Sequence, residues 1–390
     1  MINLFVKTER QKIWLEKLYK LETKLKENAA RTDELAIFPK DNIQALVDLG
    51  YTSITLPEVY GGAGLKVYDM VLLQETIASF DGNTGLSIGW NLGVVGDLFE
   101  KQSWEEDQLA YFAQEVKNGA LVNRSVSEAI TGSPARGGRP GTTAILKDGS
   151  WIINGRKSFT TASPVLTYFL TSAWIEVKQK IGFFLLHKDL DGLSIDETWD
   201  VISMRGTGSH DLVLENVTVN ESKLVELPDK PSGKYNGWML HIPACYLGIA
   251  QAARDYAVRF ANEHTPNSLT GPISQLPNVQ QHLGEIDLKL TQARHLIYSV
   301  AEAYDDETRR DLIINDIEVA KHTVTNAAIE VVDKAMRVVG AKSLGRANPL
   351  QRYYRDVRAG LHNPPMDDMT ISRLAKSAIE NVKNESVIQA

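Results

Sequence analysis

The chain has 390 residues, of which 43% are hydrophobic and 23% are charged, and its formal net charge is −7. This length exceeds the roughly 250–300 residues at which one hydrophobic core stops growing, so we expect two or three domains. The ordinary composition excludes a disordered or collagenous chain, and the acidic balance disfavours nucleic acid and anionic membranes as partners.

Cys245 is the only cysteine, which excludes an intrachain disulfide and a Cys-x-x-Cys metal or redox site. The N-terminal sequence lacks the apolar core and the small-residue cleavage site of a signal peptide. No apolar run approaches the ~18 residues that a membrane span requires. We therefore expect a cytoplasmic protein.

Residues 1–120 predict an N-terminal helical domain. Leu18 and Leu25 keep helical spacing, and a second apolar repeat ends before Gly50, a typical helix stop. The stretch 56–65 is punctuated by proline and glycine, which predicts a loop before a further helix.

Residues 121–228 change to short runs in which apolar and polar residues alternate, which predicts strands. The clearest later runs are 167–177, 181–190 and 210–219. The pairs Asp148-Gly149 and Asn154-Gly155 are strong signals for short turns. We expect a middle domain built as an antiparallel sandwich or barrel.

Residues 229–390 return to helical periodicity. Apolar residues advance by alternating steps of three and four over 283–304 and again over 317–338. Such narrow apolar faces require antiparallel partners, as in a four-helix bundle. The predicted fold class is therefore mainly α with a central β domain, divided into 1–120, 121–228 and 229–390.

The common enzyme signatures are absent from the sequence. We find no Gly-x-Gly-x-x-Gly, no phosphate-binding P-loop, no His-Glu-x-x-His and no Gly-x-Ser-x-Gly, and no pair of histidines has metal-ligand spacing. Two stretches, 125–133 and 157–163, instead combine hydroxyl side chains with an aromatic residue. A flat heteroaromatic cofactor needs this combination, but from the residues alone hydroxyls on a wet sheet face and a core Phe159 explain it better.

Four separated segments stand out in chain order. They are residues 38–65, which are followed by a helix that carries Glu75, residues 125–133, residues 148–163 and residues 338–360, which contain an Arg-Asp pair. Together they resemble the acyl-CoA dehydrogenase superfamily of flavoproteins. In order, they are similar to its N-terminal signature with the usual Glu, its strand and loop at the flavin, its following strand pair and its segment that ends in Arg-Asp.

The resemblance implies a helical domain, a β domain and a four-helix bundle, assembled as a homotetramer with FAD as cofactor, and the departures in cofactor anchoring described below leave FMN as the alternative. The cofactor-binding residues that it implies are Ser125, Val126, Ser127, Ser133, Phe159, Thr161, Arg337 and Gly340. Phe159 replaces the family's ring-packing Trp, and Thr161 matches its flavin-contacting Thr.

Family dehydrogenases remove the α proton of an acyl-CoA thioester with a Glu while a hydride passes to flavin N5. Pro364 stands at the position of that Glu, and Trp238 at the alternative position that some members use. One hypothesis keeps thioester dehydrogenation, as in fatty acid metabolism, with Asp367 or Asp368 as the displaced base. Its alternative is that both are solvated carboxylates at a helix start.

The second hypothesis is a flavin-dependent monooxygenase. Residues 361–364 match the Leu-His-(Asp/Asn)-Pro segment of that branch of the superfamily, and 204–211 also resemble it. His362 would then deliver a proton near neutral pH, and the alternative for His362 is a structural role. The branch often has a second histidine where this chain has Asn91. His210 is expected to be a turn or strand residue.

Cofactor anchoring also departs from the family pattern. Pro266 stands where the family has a phosphate-binding Arg, and Arg337 replaces a bundle Gln and could supply the missing charge. The expected partners are an acyl-CoA or another small molecule, together with an electron acceptor or a flavin reductase. An inactive homologue kept as a binding scaffold is a further alternative.

Overall fold

The computed structural model describes residues 2–131, 138–228 and 236–388. Its α-helices are α1 (Glu9–Tyr19), α2 (Glu22–Leu35), α3 (Lys40–Asp48), α4 (Val67–Phe80), α5 (Gly82–Lys101), α6 (Glu106–Lys117), α7 (His241–Glu263), α8 (Pro277–Asp305), α9 (Ile314–Val339), α10 (Pro349–Asp356) and α11 (Asp367–Ile388). Its strands are β1 (Val122–Ser125), β2 (Thr143–Lys147), β3 (Ser150–Thr160), β4 (Tyr168–Ile175), β5 (Lys180–His187), β6 (Leu193–Asp196), β7 (His210–Asn220) and β8 (Leu224–Glu226). This order of helices, strands and helices confirms the predicted fold class. Ser133 lies outside the described residues.

The chain groups into two compact units that do not follow chain order. The sheet unit comprises residues 16–66 and 83–234, and the bundle unit comprises residues 1–15, 67–82 and 235–390. The three consecutive domains predicted from the sequence stay a prediction about domain boundaries.

The sheet unit is built on one mixed sheet with the strand order β6-β7-β3-β2-β4-β5-β8. Two pairings, β1 with β4 and β2 with β4, are parallel, and the remaining pairings are antiparallel. The sheet is therefore mixed where alternation alone predicted a wholly antiparallel one. The parallel pairing places Ser125, the last residue of β1, beside Thr171 of β4.

The two predicted turns have different outcomes. Asp148 and Gly149 have φ of 50° and 75° and join β2 to β3, as a two-residue hairpin turn requires. The prediction of a turn at Asn154-Gly155 is wrong, because this pair lies inside β3 at a register shift against β7. Gly155 has φ of 154°, and a Cβ there would lie 2.4 Å from Thr142 Oγ1. Glycine is therefore required at this position because β3 passes close to Thr142.

A cluster of buried aromatic rings forms part of the core of the sheet unit. Phe112 stacks on Phe99 and contacts Trp104 and Tyr168 with ring centroids 5.2 and 5.8 Å apart. Full burial of one such side chain contributes roughly 1.5–3 kcal/mol. The cluster joins α5 and α6 to β4, which fixes the helices against the sheet.

The bundle unit contains α4, α7, α8 and α9, in which α7 and α8 contact each other and both contact α4 and α9, together with α10 and α11. Twelve of the fourteen residues of α4 are buried, so this helix is covered on nearly all sides. Gly248 of α7 permits the close approach, because a Cβ there would lie 2.3 Å from the Glu75 carbonyl oxygen. Across the described residues, no helix combines the length and apolar character needed to cross a bilayer.

A buried charge cluster lies among the bundle helices. Arg294 of α8 donates from Nε and Nη2 to Glu75 Oε1 at 2.9 and 2.6 Å, and both side chains are 1% exposed. Tyr298 donates to Glu75 Oε2 at 2.8 Å, and Gln251 accepts from Arg294 at 2.7 Å. The family Glu noted in the sequence is therefore a structural anchor of α4.

Candidate functional site

The end of β1 presents backbone and hydroxyl groups in the sheet unit. Ser125 is 1% exposed, and its Oγ has no hydrogen-bond partner among the described residues. The Ser127 carbonyl oxygen accepts from the Ser158 N–H at 2.8 Å, which ties the segment after β1 to β3. Val126 between them is partly exposed. A buried hydroxyl without a partner is costly unless a ligand satisfies it.

Phe159 presents an aromatic ring to the surface of the sheet unit. Its side chain is 63% exposed, and its φ is 59°, a conformation that non-glycine residues rarely adopt. The ring contacts Trp199 edge-to-face at a centroid distance of 6.0 Å. An exposed ring held by a strained backbone is typical of a binding position.

Thr161 belongs to a row of buried hydroxyls beside this ring. Its Oγ1 lies 2.9 Å from Ser209 Oγ, which in turn lies 2.9 Å from Thr207 Oγ1. Asn123 Nδ2 donates to the Thr161 carbonyl oxygen at 3.1 Å. Sequence reasoning had not assigned Thr207 or Ser209 to the site, although both lie in the stretch 204–211 that it singled out.

A buried ion pair connects the segment after β1 to β3. Lys157 Nζ, which is fully buried, lies 2.6 Å from Glu128 Oε1 and 3.1 Å from Ser172 Oγ. Burial raises the pKa of Glu128, but hydrogen bonds from Lys157, Thr131 and Thr142 outweigh it and leave that pKa at about 2. Burial lowers the pKa of Lys157. Sequence reasoning had not assigned this pair, although both residues lie in the quoted motifs.

These residues fit a flavin ring on two grounds. The exposed ring of Phe159 can cover one face of a flat heteroaromatic system. The unpartnered Ser125 hydroxyl offers a hydrogen bond to an edge atom of such a ring.

Two predicted cofactor-binding residues, Arg337 and Gly340, lie at the end of α9 in the bundle unit. Arg337 is exposed, and its Nε donates to Asp333 Oδ2 at 2.8 Å. Gly340 follows α9 with φ of 70°, and a Cβ there would meet nothing within 4 Å. The guanidinium has N–H donors besides Nε, so Arg337 can also donate hydrogen bonds to a phosphate at the surface.

The loop between the short 3-10 turn Val357–Leu361 and α11 carries His362. The His362 side chain is exposed, while its N–H donates to the Ala359 carbonyl oxygen at 3.0 Å. Next to it, Asn363 Oδ1 accepts from the Tyr246 hydroxyl at 2.5 Å. The loop thus displays an imidazole at the place where the family's Glu is missing.

Both candidate carboxylate bases lie at the start of α11. Asp367 Oδ1 lies 3.1 Å from His322 Nδ1 and 3.8 Å from Lys321 Nζ, and Oδ2 accepts from Asn326 at 3.0 Å. Burial raises the pKa of Asp367, but the hydrogen bonds from Asn326 and His322 outweigh burial and leave that pKa below its ordinary value. A carboxylate held in this way is a weak base. Asp368 is exposed.

Two further sequence candidates have structural contacts. Asn91 Oδ1 accepts from the Val122 N–H at 2.9 Å, and its Nδ2 donates to the Thr52 carbonyl oxygen at 3.3 Å, so it links α5 to β1. His210 is the first residue of β7, as expected, and its Nδ1 accepts from the Trp199 N–H at 3.1 Å.

Three family models match consecutive parts of the chain. They describe the acyl-CoA dehydrogenase N-terminal domain at residues 8–115, the middle domain at 124–217 and the C-terminal domain at 240–361. YdbM of Bacillus subtilis (strain 168), provisionally named an acyl-CoA dehydrogenase, is 58% identical over 381 residues, which cover 97% of this chain and 100% of that protein.

Solved structures share the fold at low sequence identity. Butyryl-CoA dehydrogenase from Megasphaera elsdenii has a TM-score of 0.86 at 20% identity, and the match covers 96% of this chain and 99% of that one. Methanesulfinate monooxygenase MsuC from Pseudomonas fluorescens has a TM-score of 0.83 at 21% identity, with 94% and 97% covered. Other structures of this fold hold FMN. At these identities the likeness establishes the fold alone.

Proposed function

The chain belongs to the acyl-CoA dehydrogenase family, and we propose that within it this protein is a flavin-dependent monooxygenase with His362 as proton donor. The family is one of flavoprotein oxidoreductases, and its members and structural neighbours bind FAD or FMN. The reaction within the family is the part that we propose.

The loop 361–366 is the observation that carries the proposal. It contains an exposed imidazole and no carboxylate. Dehydrogenation needs an anionic base that is free to take a carbon-bound proton, and Asp367 is occupied by donors from α9. Proton delivery needs only an accessible group that exchanges protons near neutral pH, which a histidine supplies.

Reduced flavin, when bound, supplies two electrons to O2, so that one oxygen atom enters a small organic substrate and the other leaves as water. His362 holds a proton on its imidazole and hands it to the departing oxygen, then regains a proton from solvent because its side chain is exposed. Phe159 would cover one face of a bound flavin, and Ser125 would donate a hydrogen bond to its edge. The hydroxyls of Thr161 and Ser209 fix the adjoining backbone.

Arg337 and Gly340 are proposed to contact the flavin phosphate. Pro266 at the position of the family's phosphate-binding Arg favours a weakly held flavin, and therefore supply of reduced FMN or FAD by a partner reductase. A cytoplasmic location and a homotetramer stay predictions from the sequence. Titration of the protein with FMN and FAD, followed by flavin fluorescence, measures the preference.

The test is stopped-flow mixing of the anaerobically reduced flavin–protein complex with oxygenated buffer. We expect a slow phase of flavin reoxidation that free flavin lacks and whose rate depends on pH. His362→Ala removes the pH dependence, while the matched variant His282→Ala, a histidine on α8, keeps it. Reoxidation as fast as that of free flavin would contradict the proposal.

Thioester dehydrogenation is the second candidate, favoured by the 58% identity to a protein provisionally named an acyl-CoA dehydrogenase. It predicts that acyl-CoA thioesters bleach the bound flavin without oxygen, and that Asp367→Asn or Asp368→Asn abolishes the bleaching. A flavin that stays oxidised with every thioester excludes this candidate. A protein that takes up neither FAD nor FMN would favour the scaffold alternative.

A further inference from the structure

The position of His362 depends on few contacts of its own. Its N–H and that of Asn363 both donate to the Ala359 carbonyl oxygen, at 3.0 and 3.2 Å. Its side chain is exposed, so packing constrains the imidazole only weakly. The loop therefore needs an anchor outside itself if His362 is to deliver a proton at one place.

Tyr246 of α7 supplies contacts on both sides of His362. Its hydroxyl donates to Asn363 Oδ1 at 2.5 Å. Its ring lies against Gly360, where a Cβ would be 3.1 Å from ring atoms Cδ2 and Cε2. Tyr246 is fully buried in a helix that packs on α9, so its ring is held rigidly.

The loop residue that Tyr246 meets is Asn363, directly after His362. A side-chain carbonyl at 363 accepts a hydrogen bond, and α7 provides the phenol that donates it. Burial raises the pKa of the Tyr246 hydroxyl well above its ordinary value, so it stays a donor throughout the working range.

We propose that Tyr246 is a positioning residue that holds His362 by fastening the loop at Gly360 and Asn363. This inference rests on the proposed proton delivery by His362. Tyr246 itself transfers no proton in it. The hydrogen bond to Asn363 fixes the loop, and the loop fixes the imidazole.

The experiment compares Tyr246→Phe with Tyr298→Phe in the stopped-flow assay on the reduced flavin–protein complex. Both variants delete one buried phenol hydroxyl in the bundle unit, but Tyr298 donates to Glu75, away from the loop. We expect Tyr246→Phe to slow the reoxidation phase about tenfold, the effect of one lost hydrogen bond on proton delivery, and to remove its pH dependence as His362→Ala does. Tyr298→Phe keeps the wild-type rate and pH profile.

Asn363→Leu removes the acceptor of the same hydrogen bond and provides a second test if Tyr246→Phe folds poorly. It should reproduce the loss of pH dependence, and the double variant should be no worse than either single one. A wild-type pH profile in folded Tyr246→Phe or Asn363→Leu overturns the role of Tyr246 while proton delivery by His362 stands. A wild-type protein without a slow phase overturns the proposed function and, with it, this inference.

Discussion

The buried ion pair between Glu128 and Lys157 gives an asymmetric prediction: Glu128→Gln destabilises the protein more than Lys157→Met does. In Lys157→Met the carboxylate keeps four donors from residues 131–142, at 2.6 to 3.1 Å. In Glu128→Gln the buried ammonium keeps Ser172 Oγ at 3.1 Å but loses its counter-charge. The new amide also turns an NH2 group towards donors such as the Gly141 N–H.

The magnitudes follow from these contacts. Losing the charge-assisted hydrogen bond in Lys157→Met lowers the free energy of unfolding by about 2–3 kcal/mol. Leaving the Lys157 ammonium buried without its partner lowers it by about 3–5 kcal/mol. The double variant should fall short of the sum of the two by about 1–3 kcal/mol, because each single change removes the same interaction.

Urea unfolding at pH 7, followed by tryptophan fluorescence, measures this difference. Trp151 of β3 is buried in the same sheet and reports on its unfolding. If Lys157→Met lowered the unfolding free energy as much as Glu128→Gln or more, the assignment of the remaining donors to Glu128 would be wrong.

Acid titration of the same pair tests the sign of the electrostatics. The pKa of Glu128 is about 2 in the folded protein against an ordinary value of 4.5. A lowered pKa means that the stabilisation is complete above pH 4.5 and is lost as the pH falls towards 2. The difference corresponds to roughly 3 kcal/mol. Urea midpoints across this range should therefore fall more steeply in the wild type than in Glu128→Gln.

Phe159→Ala should weaken flavin binding about tenfold because the contact with the aromatic ring is lost, whereas Phe159→Trp should bind flavin as tightly as the wild type. Fluorescence titration measures both affinities, and a wild-type affinity in Phe159→Ala would exclude packing of the ring on the flavin. Gly248→Ala should destabilise the bundle unit by about 1–3 kcal/mol because its Cβ would meet the backbone of α4. The matched change Gly284→Ala, with open space around it, should stabilise α8 by about 0.5–1 kcal/mol; equal thermal shifts would refute the steric reasoning. Asp305→Ala should lower the unfolding free energy by about 1–2 kcal/mol, since Asp305 accepts from the N–H groups of Val67 and Tyr68 at the start of α4; an unchanged urea midpoint would show that this cap is dispensable.

Sequence reasoning succeeded where the signal is local. The Asp148-Gly149 turn and the apolar repeat of α9 depend on neighbours within a few residues, and the structure confirms both. Asn154-Gly155 has the same turn chemistry, but its conformation is decided by the close approach of Thr142, the residue before β2. Short-range patterns do not contain that information.

The candidate site shows the same limit. The motif positions at Phe159 and Ser125 could be named from the sequence, but the hydrogen bonds and ion pair that engage the Asp367 carboxylate could not. Its partners belong to α9 and lie 41 and 45 residues earlier in the chain. Tyr246 lies in no motif, and its partner is 117 residues away. Only the packing of helices brings such pairs together.

The membership of α4 in the bundle has a consequence for protein synthesis. This helix leaves the ribosome early, yet its packing partners end with α8, whose last residue, Asp305, lies 225 residues after Phe80. At about 5–20 residues per second, roughly 11–45 seconds pass before α4 can be covered. During that time a largely apolar helix lacks its native neighbours, so nascent chains of this protein should depend on chaperones until α8 emerges.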